Sequence, residues 1–261
     1  MAKHQTPRAV LLFDIDGVIR DVGSSYRRAI VETVHHYSGV RPHVASLDAL
    51  KAEGCWNNDW EASLELLRRG GLGHLPSFEA LVEVFNSFYF GGDPEGDPSA
   101  WQGFIGSEPL LVEREFFEQL SATGVAWGFV SGAEPPSARF VLEQRLGLSH
   151  PPLIAMGDAP DKPDPTGFLR LATELCGPLG ASTIPVAYLG DTVADVLTVQ
   201  RARQEQPEQH FLSLAVAPPH LHSPDERERR GLYEAQLLQA GADAVIPTTL
   251  AVLAALEPVL G

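Results

Sequence analysis

LLFDIDGVIRD, residues 11–21, passes from an unbroken apolar stretch into two carboxylates, Asp14 and Asp16, with one residue between them. A strand over Ala9 to Phe13 has a side-chain period of two, so both acids leave it toward the same side. There, like charges repel unless a bound cation compensates them. The competing reading is a turn, because Asp16-Gly17 is a common hairpin dipeptide and Asp tolerates turn geometry. The choice depends on what the rest of the chain places at the ends of its other apolar runs.

Such runs recur as VAWGFVSG, PLIAMGD, VAYLGD, FLSLAVAP and ADAVIP, each ending abruptly in polar or small residues. Continuous rather than alternating hydrophobicity indicates strands covered on both faces, as in a parallel sheet. Helical spacing lies between them, over Leu111 to Leu120, Ser137 to Leu146, Pro165 to Leu175, Val193 to Arg203, Arg227 to Gln239 and Leu250 to Leu256. Strand alternating with helix predicts an α/β fold with a doubly wound parallel sheet. One connection is too long for a crossover. Between Asp21 and Glu108 the pattern holds no buried strand, only helical stretches near Tyr26 to Tyr37, Ala45 to Glu53, Asp59 to Arg69 and Phe78 to Phe88. This reads as an inserted all-helical domain, leaving through the loop or hinge GGDPEGDPSAWQGFIGSEP. The expected division is residues 1–20 and 108–261 for the α/β core and 21–107 for the insertion.

With 261 residues the chain can bury a sizeable core, and its formal charge of -15 opposes a sequence-independent grip on nucleic acid. Lysine occurs only at Lys3, Lys51 and Lys162, so an isolated lysine in the core segment needs a reason. Cys55 and Cys176 stand far apart in no metal-type pair, and both read as packing residues suited to a reducing compartment. The N-terminus lacks a signal peptide's long apolar region, and no window has the length of a membrane span, so a cytoplasmic location is expected. His35 and His36, like His220 and His222, read as surface or packing residues, since neither pair has a third ligand.

In an open parallel sheet, ligands gather beyond the carboxyl ends of the strands. Four predicted endings carry chemistry: Asp14 and Asp16 in DIDGV, Ser131 and Gly132 in FVSGA, Lys162 in DKPDP, and Asp191 and Asp195 in LGDTVAD. Taken singly, Ser131 could turn the chain, Lys162 could be a surface charge, and Asp191 could cap the next helix with Asp195 exposed on it. Their ordered combination is harder to assign to independent turns. The set resembles the four motifs of the haloacid dehalogenase superfamily, over Ala9 to Asp16 and from about Leu110 to Pro247. The insertion resembles the helical cap of subfamily I, and GCWNNDWEASLELL is similar to a small, poorly characterised branch of it.

The resemblance implies a Rossmann-like core and phosphoryl transfer through an aspartyl-phosphate. By it, Asp14 is the nucleophile and Asp16 the general acid and base. Mg²⁺ is held by Asp14, the backbone carbonyl of Asp16 and Asp191, while Asp195 binds a metal water or orients the site. Ser131, Gly132 and Lys162 take the phosphoryl group. The cap then closes over the substrate, with Arg20, Tyr26, Arg27, Lys51, Asn57, Asn58 and Asp59 as its polar candidates. In WNNDW, amides and an acid lie between two indoles, a composition suited to a hydroxyl-rich ligand; the alternative is that Asn58 or Asp59 caps the next helix and the tryptophans pack.

The expected activity is that of a Mg²⁺-dependent phosphomonoesterase acting on a small phosphorylated metabolite such as a sugar or polyol phosphate. The alternatives are a phosphomutase of the β-phosphoglucomutase type and a non-catalytic phosphate-binding protein. Dehalogenation is disfavoured, because relatives with that chemistry lack an acid at the position of Asp16; phosphonate cleavage is disfavoured likewise, although Lys51 could form an imine. Nucleic-acid and membrane partners are not expected, and the chain reads as a monomer or homodimer.

Overall fold

The computed structural model describes residues 6–23, 25–53, 56, 58–180 and 183–260; Lys3, Cys55 and Asn57 lie outside the described residues. In chain order, β1 (Ala9–Phe13) is followed by α1 (Tyr26–Ser38), α2 (Val44–Ala52), α3 (Asp59–Arg69) and α4 (Phe78–Tyr89). Then come α5 (Arg114–Ala122), β2 (Val125–Val130), α6 (Pro135–Arg139), β3 (Leu153–Ile154), α7 (Thr166–Cys176), β4 (Val186–Gly190), α8 (Val193–Glu205), β5 (Phe211–Val216), α9 (Arg227–Ala240), β6 (Ala244–Ile246) and α10 (Val252–Leu260). None of the described helices is long and apolar enough to cross a membrane.

The chain separates into two compact units, Met1–Asp21 with Leu110–Gly261, and Val22–Pro109. The first holds a six-stranded sheet of order β3-β2-β1-β4-β5-β6 in which every pairing is parallel. All five residues of β1 are buried, which is why its sequence shows no alternation. Its pleat still divides them: Ala9, Leu11 and Phe13 pack with Phe116, Phe117 and Phe129, whereas Val10 and Leu12 pack with Phe168, Tyr188 and Phe211. The predicted helix over Ser137 to Leu146 starts two residues early as α6 and continues as a π-helical turn over Phe140–Arg145. There the Leu146 N–H reaches back five residues to the Val141 carbonyl.

In the second unit, α1, α3 and α4 bury Ala29, Ile30, Val34, Ala62, Leu67, Leu81 and Phe85. Tyr26 stacks on Tyr89 with ring centroids 4.0 Å apart. The helix starts are capped as their sequences suggest: the Ser77 side chain accepts from Ala80 N–H, and Asn58 Oδ1 accepts from Trp60 and Glu61 N–H.

Candidate active site

The strand order reverses direction at β1, with β2 on one side and β4 on the other, and it is at such a switch that strand ends leave an open crevice. Register fixes what converges there. Phe13 lies opposite both Phe129 and Leu189, so the residues just beyond, Asp14, Ser131 and Asp191, emerge at one edge of the sheet. Asp14, Asp191 and Asp195 are all buried, and one carboxylate oxygen from each lies within 4.8 Å of the others.

Lys162 enters this cluster from the loop after β3. Its Nζ is 3.0 Å from Asp14 Oδ1, 2.5 Å from Asp195 Oδ1 and 3.2 Å from Tyr188 Oη. Lys162 also lines one small crevice with Ser131 and Gly132. The structure thus brings together all the residues singled out at the later strand ends, with the lysine shared between acid cluster and crevice. Ser131 Oγ accepts from Ala133 N–H at 3.2 Å, which turns its hydroxyl oxygen across the end of β2.

Asp195 has a defined job in the fold. It is the third residue of α8, where its Oδ2 accepts from the backbone N–H and hydroxyl of Thr192 at 2.9 and 2.6 Å, while Thr192 Oγ1 caps Asp195 N–H. This capping box makes Thr192 the helix cap, a role the sequence reading had offered to Asp191. Both Asp195 oxygens are therefore committed, one to the helix start and the other to Lys162 and Tyr188. Gly190 leaves the room for this, since a Cβ there would lie 2.3 Å from Asp195 Cβ.

Electrostatics follow from three buried carboxylates facing one lysine. Burial, together with the charges of Asp195 and Asp16, pushes Asp14 up from 3.8 to about 6 against the pull of Lys162. Burial and the neighbouring Asp14 and Asp195 charges push Asp191 well up. Burial also disfavours the charge on Asp195, but Lys162 and the Thr192 donors outweigh it and hold that acid below its usual range. Burial likewise opposes the ammonium of Lys162, yet Asp14 and Asp195 hold it well above the ordinary lysine range. The uncompensated charge sits on Asp14 and Asp191. Asp14 Oδ1 is buried and accepts no well-aligned hydrogen bond, although it faces Lys162 as an ion pair. A surplus of hard oxygen donors in this state fits a divalent cation of the Mg²⁺ type.

Gly17 leaves the room that the Asp191 carboxylate occupies. Its φ is +77°, and a Cβ would fall 2.0 Å from Asp191 Oδ2. Gly17→Ala is expected to displace the Asp191 carboxylate and, if the acid cluster takes a divalent cation, to weaken its binding by about tenfold to a hundredfold, the effect typical of disturbing a ligand's support. Titrating the thermal shift with Mg²⁺ measures this; unchanged affinity would show that the carboxylate does not depend on this close approach.

Tyr188 escaped the sequence reading. It is buried within β4, donates to the Val130 carbonyl at 2.7 Å and meets both Lys162 and Asp195, bracing the lysine from below. The available signal was a phenol in an otherwise aliphatic buried run, because a buried hydroxyl needs a partner.

The polar candidates of the cap have partners of their own in the structure. Arg20 belongs to the sheet-containing unit and is fully buried, with Nε 2.6 Å from Asp16 Oδ1, because the loop after β1 folds back on itself. Asn58 spends its side-chain oxygen on the start of α3. Asp59 pairs with Lys51, and Arg27 with Asp48. Trp60 packs edge-on against Phe78 and Phe85, and Trp56 donates to Glu53. Among the described residues of WNNDW, Asn58 caps α3, Trp60 packs, and Trp56 and Asp59 take polar partners. The physical reason is local: a short amide before a helix satisfies orphan N–H groups more cheaply than any distant ligand.

Comparison with known proteins identifies a family and a fold. A family model of haloacid dehalogenase-like hydrolases matches residues 9–203. An imidazoleglycerol-phosphate dehydratase of Phytophthora nicotianae is 30% identical over 201 residues, 76% of this chain, but the chain spans only 42% of that relative's length. Among solved structures, a phosphonoacetaldehyde hydrolase-like protein from Oleispira antarctica is similar with a TM-score of 0.69 and 18% identity, covering 100% of this chain and 96% of its own. A phosphatase from Thermococcus thioreducens has a TM-score of 0.59 and 22% identity, with 88% and 99% covered. At these identities the structural likeness bears on the fold.

Proposed function

The chain belongs to the haloacid dehalogenase-like hydrolases, and from that premise we propose that it hydrolyses phosphate monoesters of small metabolites through a phosphorylated Asp14. The observation that carries this is the buried cluster of Asp14, Asp191 and Asp195 around Lys162 at the end of the parallel sheet. A carboxylate nucleophile, a cation-binding partner and a fixed ammonium at one point match what transfer of a phosphoryl group requires.

In this reading Asp14 attacks phosphorus in line and Asp16 delivers a proton to the leaving oxygen. Asp16 then takes a proton from the water that cleaves the acyl phosphate, returning Asp14 to its carboxylate. Lys162 and the hydroxyl of Ser131 hold the non-bridging oxygens, and the Gly132 backbone leaves them open space. Asp195 and Tyr188 keep the lysine aimed. Asp14, Asp191 and the backbone carbonyl of Asp16 would hold Mg²⁺, which when bound neutralises charge on the transferring group. Lys51 pairs with Asp59, and Lys51→Arg, which cannot form an imine, is expected to leave activity unchanged if phosphonate cleavage plays no part.

Phosphate release from a panel of sugar, polyol and short-chain acid phosphates, with and without Mg²⁺, tests the reading. Imidazoleglycerol phosphate belongs in the panel because the Phytophthora relative bears that name. Mg²⁺-dependent release supports hydrolysis; a phosphate moved between positions of one sugar points to a mutase; binding without turnover on any ester removes the enzymatic assignment.

Metal and proton should compete for the same carboxylates. Folding raises Asp14 from 3.8 to about 6, so the folded chain binds the proton more tightly than the unfolded one. The cost of ionising it is absent below the unfolded value, sets in as pH rises above that value, and is complete once pH has passed about 6. Metal-free protein should therefore lose stability from this group between pH 4 and pH 7. Mg²⁺ is expected to raise Tm by several degrees at pH 7.5 and by less at pH 5. An equal or larger shift at pH 5 would place the cation elsewhere.

A further inference from the structure

We propose that Arg20 is a positioning residue for proton transfer, holding one oxygen of Asp16 so that the other is presented to the leaving group. The proposal rests on the phosphatase reading and assigns Arg20 a part in it that the catalytic motifs do not contain.

The loop after β1 is wound tightly enough to bring this about. Ile19 and Arg20 N–H both return to the Ile15 carbonyl, and Gly17 N–H donates to the Arg20 carbonyl at 2.9 Å. Arg20 is thereby turned beneath Asp16, four residues earlier. It has no exposed surface and is the largest fully buried side chain among the described residues. Its Nε contacts Asp16 Oδ1 at 2.6 Å, and its Nη2 donates to the buried Ser137 Oγ at 2.9 Å. Burying a guanidinium is costly unless its donors are matched, so an apolar residue would have filled this space more simply.

The pairing is one-sided in a way that suits catalysis. Asp16 keeps 29% of its side-chain surface exposed while Arg20 keeps none. Arg20 binds Oδ1 through Nε alone rather than gripping both oxygens with its fork, and Oδ2 accepts no hydrogen bond among the described residues. Ser137, at the start of α6, anchors the far end of the guanidinium to a different part of the fold. Asp16 is thus held at one oxygen by a group that cannot move freely, and the second oxygen is available for the proton.

Leaving-group dependence separates this from a merely structural role. An aryl phosphate such as p-nitrophenyl phosphate expels a stable anion and needs little proton donation, whereas an alkyl phosphate such as glycerol phosphate needs it. The measurement is kcat/KM on both esters for the native protein, Arg20→Met and Ser137→Ala. Arg20→Met is expected to lose about 10²-fold or more on the alkyl ester and less than tenfold on the aryl ester. Ser137→Ala should shift the ratio in the same direction by a smaller factor, and it carries the test if Arg20→Met does not fold. Equal losses on both esters, or an unchanged ratio in both variants, would overturn the role of Arg20 while leaving the phosphatase reading intact. A native protein inactive on both esters would instead overturn that reading, and this proposal with it.

Discussion

Asp14→Asn is expected to reduce phosphate release by about 10⁴-fold or more, because an amide cannot form the acyl phosphate on which the two-step route depends. The same substitution should leave the fold intact. At neutral pH the native carboxylate is held ionised against burial and against Asp195 and Asp16, as its upward shift to about 6 records. Removing that charge relieves part of the repulsion, and Lys162 keeps Asp195 as its partner. Metal-free Asp14→Asn should therefore melt no lower than the native protein at pH 7.5. Rapid quenching during turnover, followed by mass analysis of the peptide bearing Asp14, should find a phosphate adduct in the native protein and none in the variant. A variant retaining activity within tenfold would remove Asp14 from the role of nucleophile, whatever its stability.

Lys162→Met is the second large effect, and it should strike stability as well as activity. The side chain is similar in size and lacks the ammonium, so the variant leaves Asp14, Asp191 and Asp195 buried without their cation. Breaking a buried pair from one side typically costs about 3–5 kcal/mol, far more than the pair's net worth. Without the lysine, Asp14 and Asp195 would both bind protons more tightly in the folded chain. The destabilisation should then be largest above pH 7 and shrink as pH falls toward 5. Adding Asp195→Asn to Lys162→Met should recover part of the loss, a coupling that a double-mutant cycle reads directly. If Lys162→Met and the native protein had the same Tm across this range, the lysine would be a surface charge, as one reading of the Pro-rich loop allowed.

How far these residues were legible differs by their distance from regular structure. Asp14, Ser131 and Asp191 follow continuous apolar runs, and a run that stops at a polar residue marks a strand end without any knowledge of its neighbours. Lys162 was visible only because lysine is so scarce in this chain. Tyr188 was hidden, and Arg20 was named with a different role. Tyr188 looked like one more large residue in a buried strand, and its hydroxyl has meaning only because Lys162 arrives from 26 residues away in sequence. Arg20 read as a substrate contact at the entrance of the insertion, since nothing local announces that its guanidinium will be enclosed beside Asp16. In WNNDW, the capping oxygen of Asn58 was readable as one of two options, and the helix start took it.

The amino-acid sequence by itself determined the architecture: periodicity and continuous hydrophobicity specify alternating parallel strands and helices, and the excess spacing after Asp21 specifies an insertion. These are short-range properties, set by which side chains the backbone can bury on one face or two. Only the tertiary structure decided which polar groups meet, that Asp195 serves a helix start and a lysine at once, and that Arg20 lies beneath Asp16. Such pairings depend on register between strands and on distances of a few tenths of an ångström. Those are fixed by packing across the whole sheet, where residues distant along the chain become neighbours.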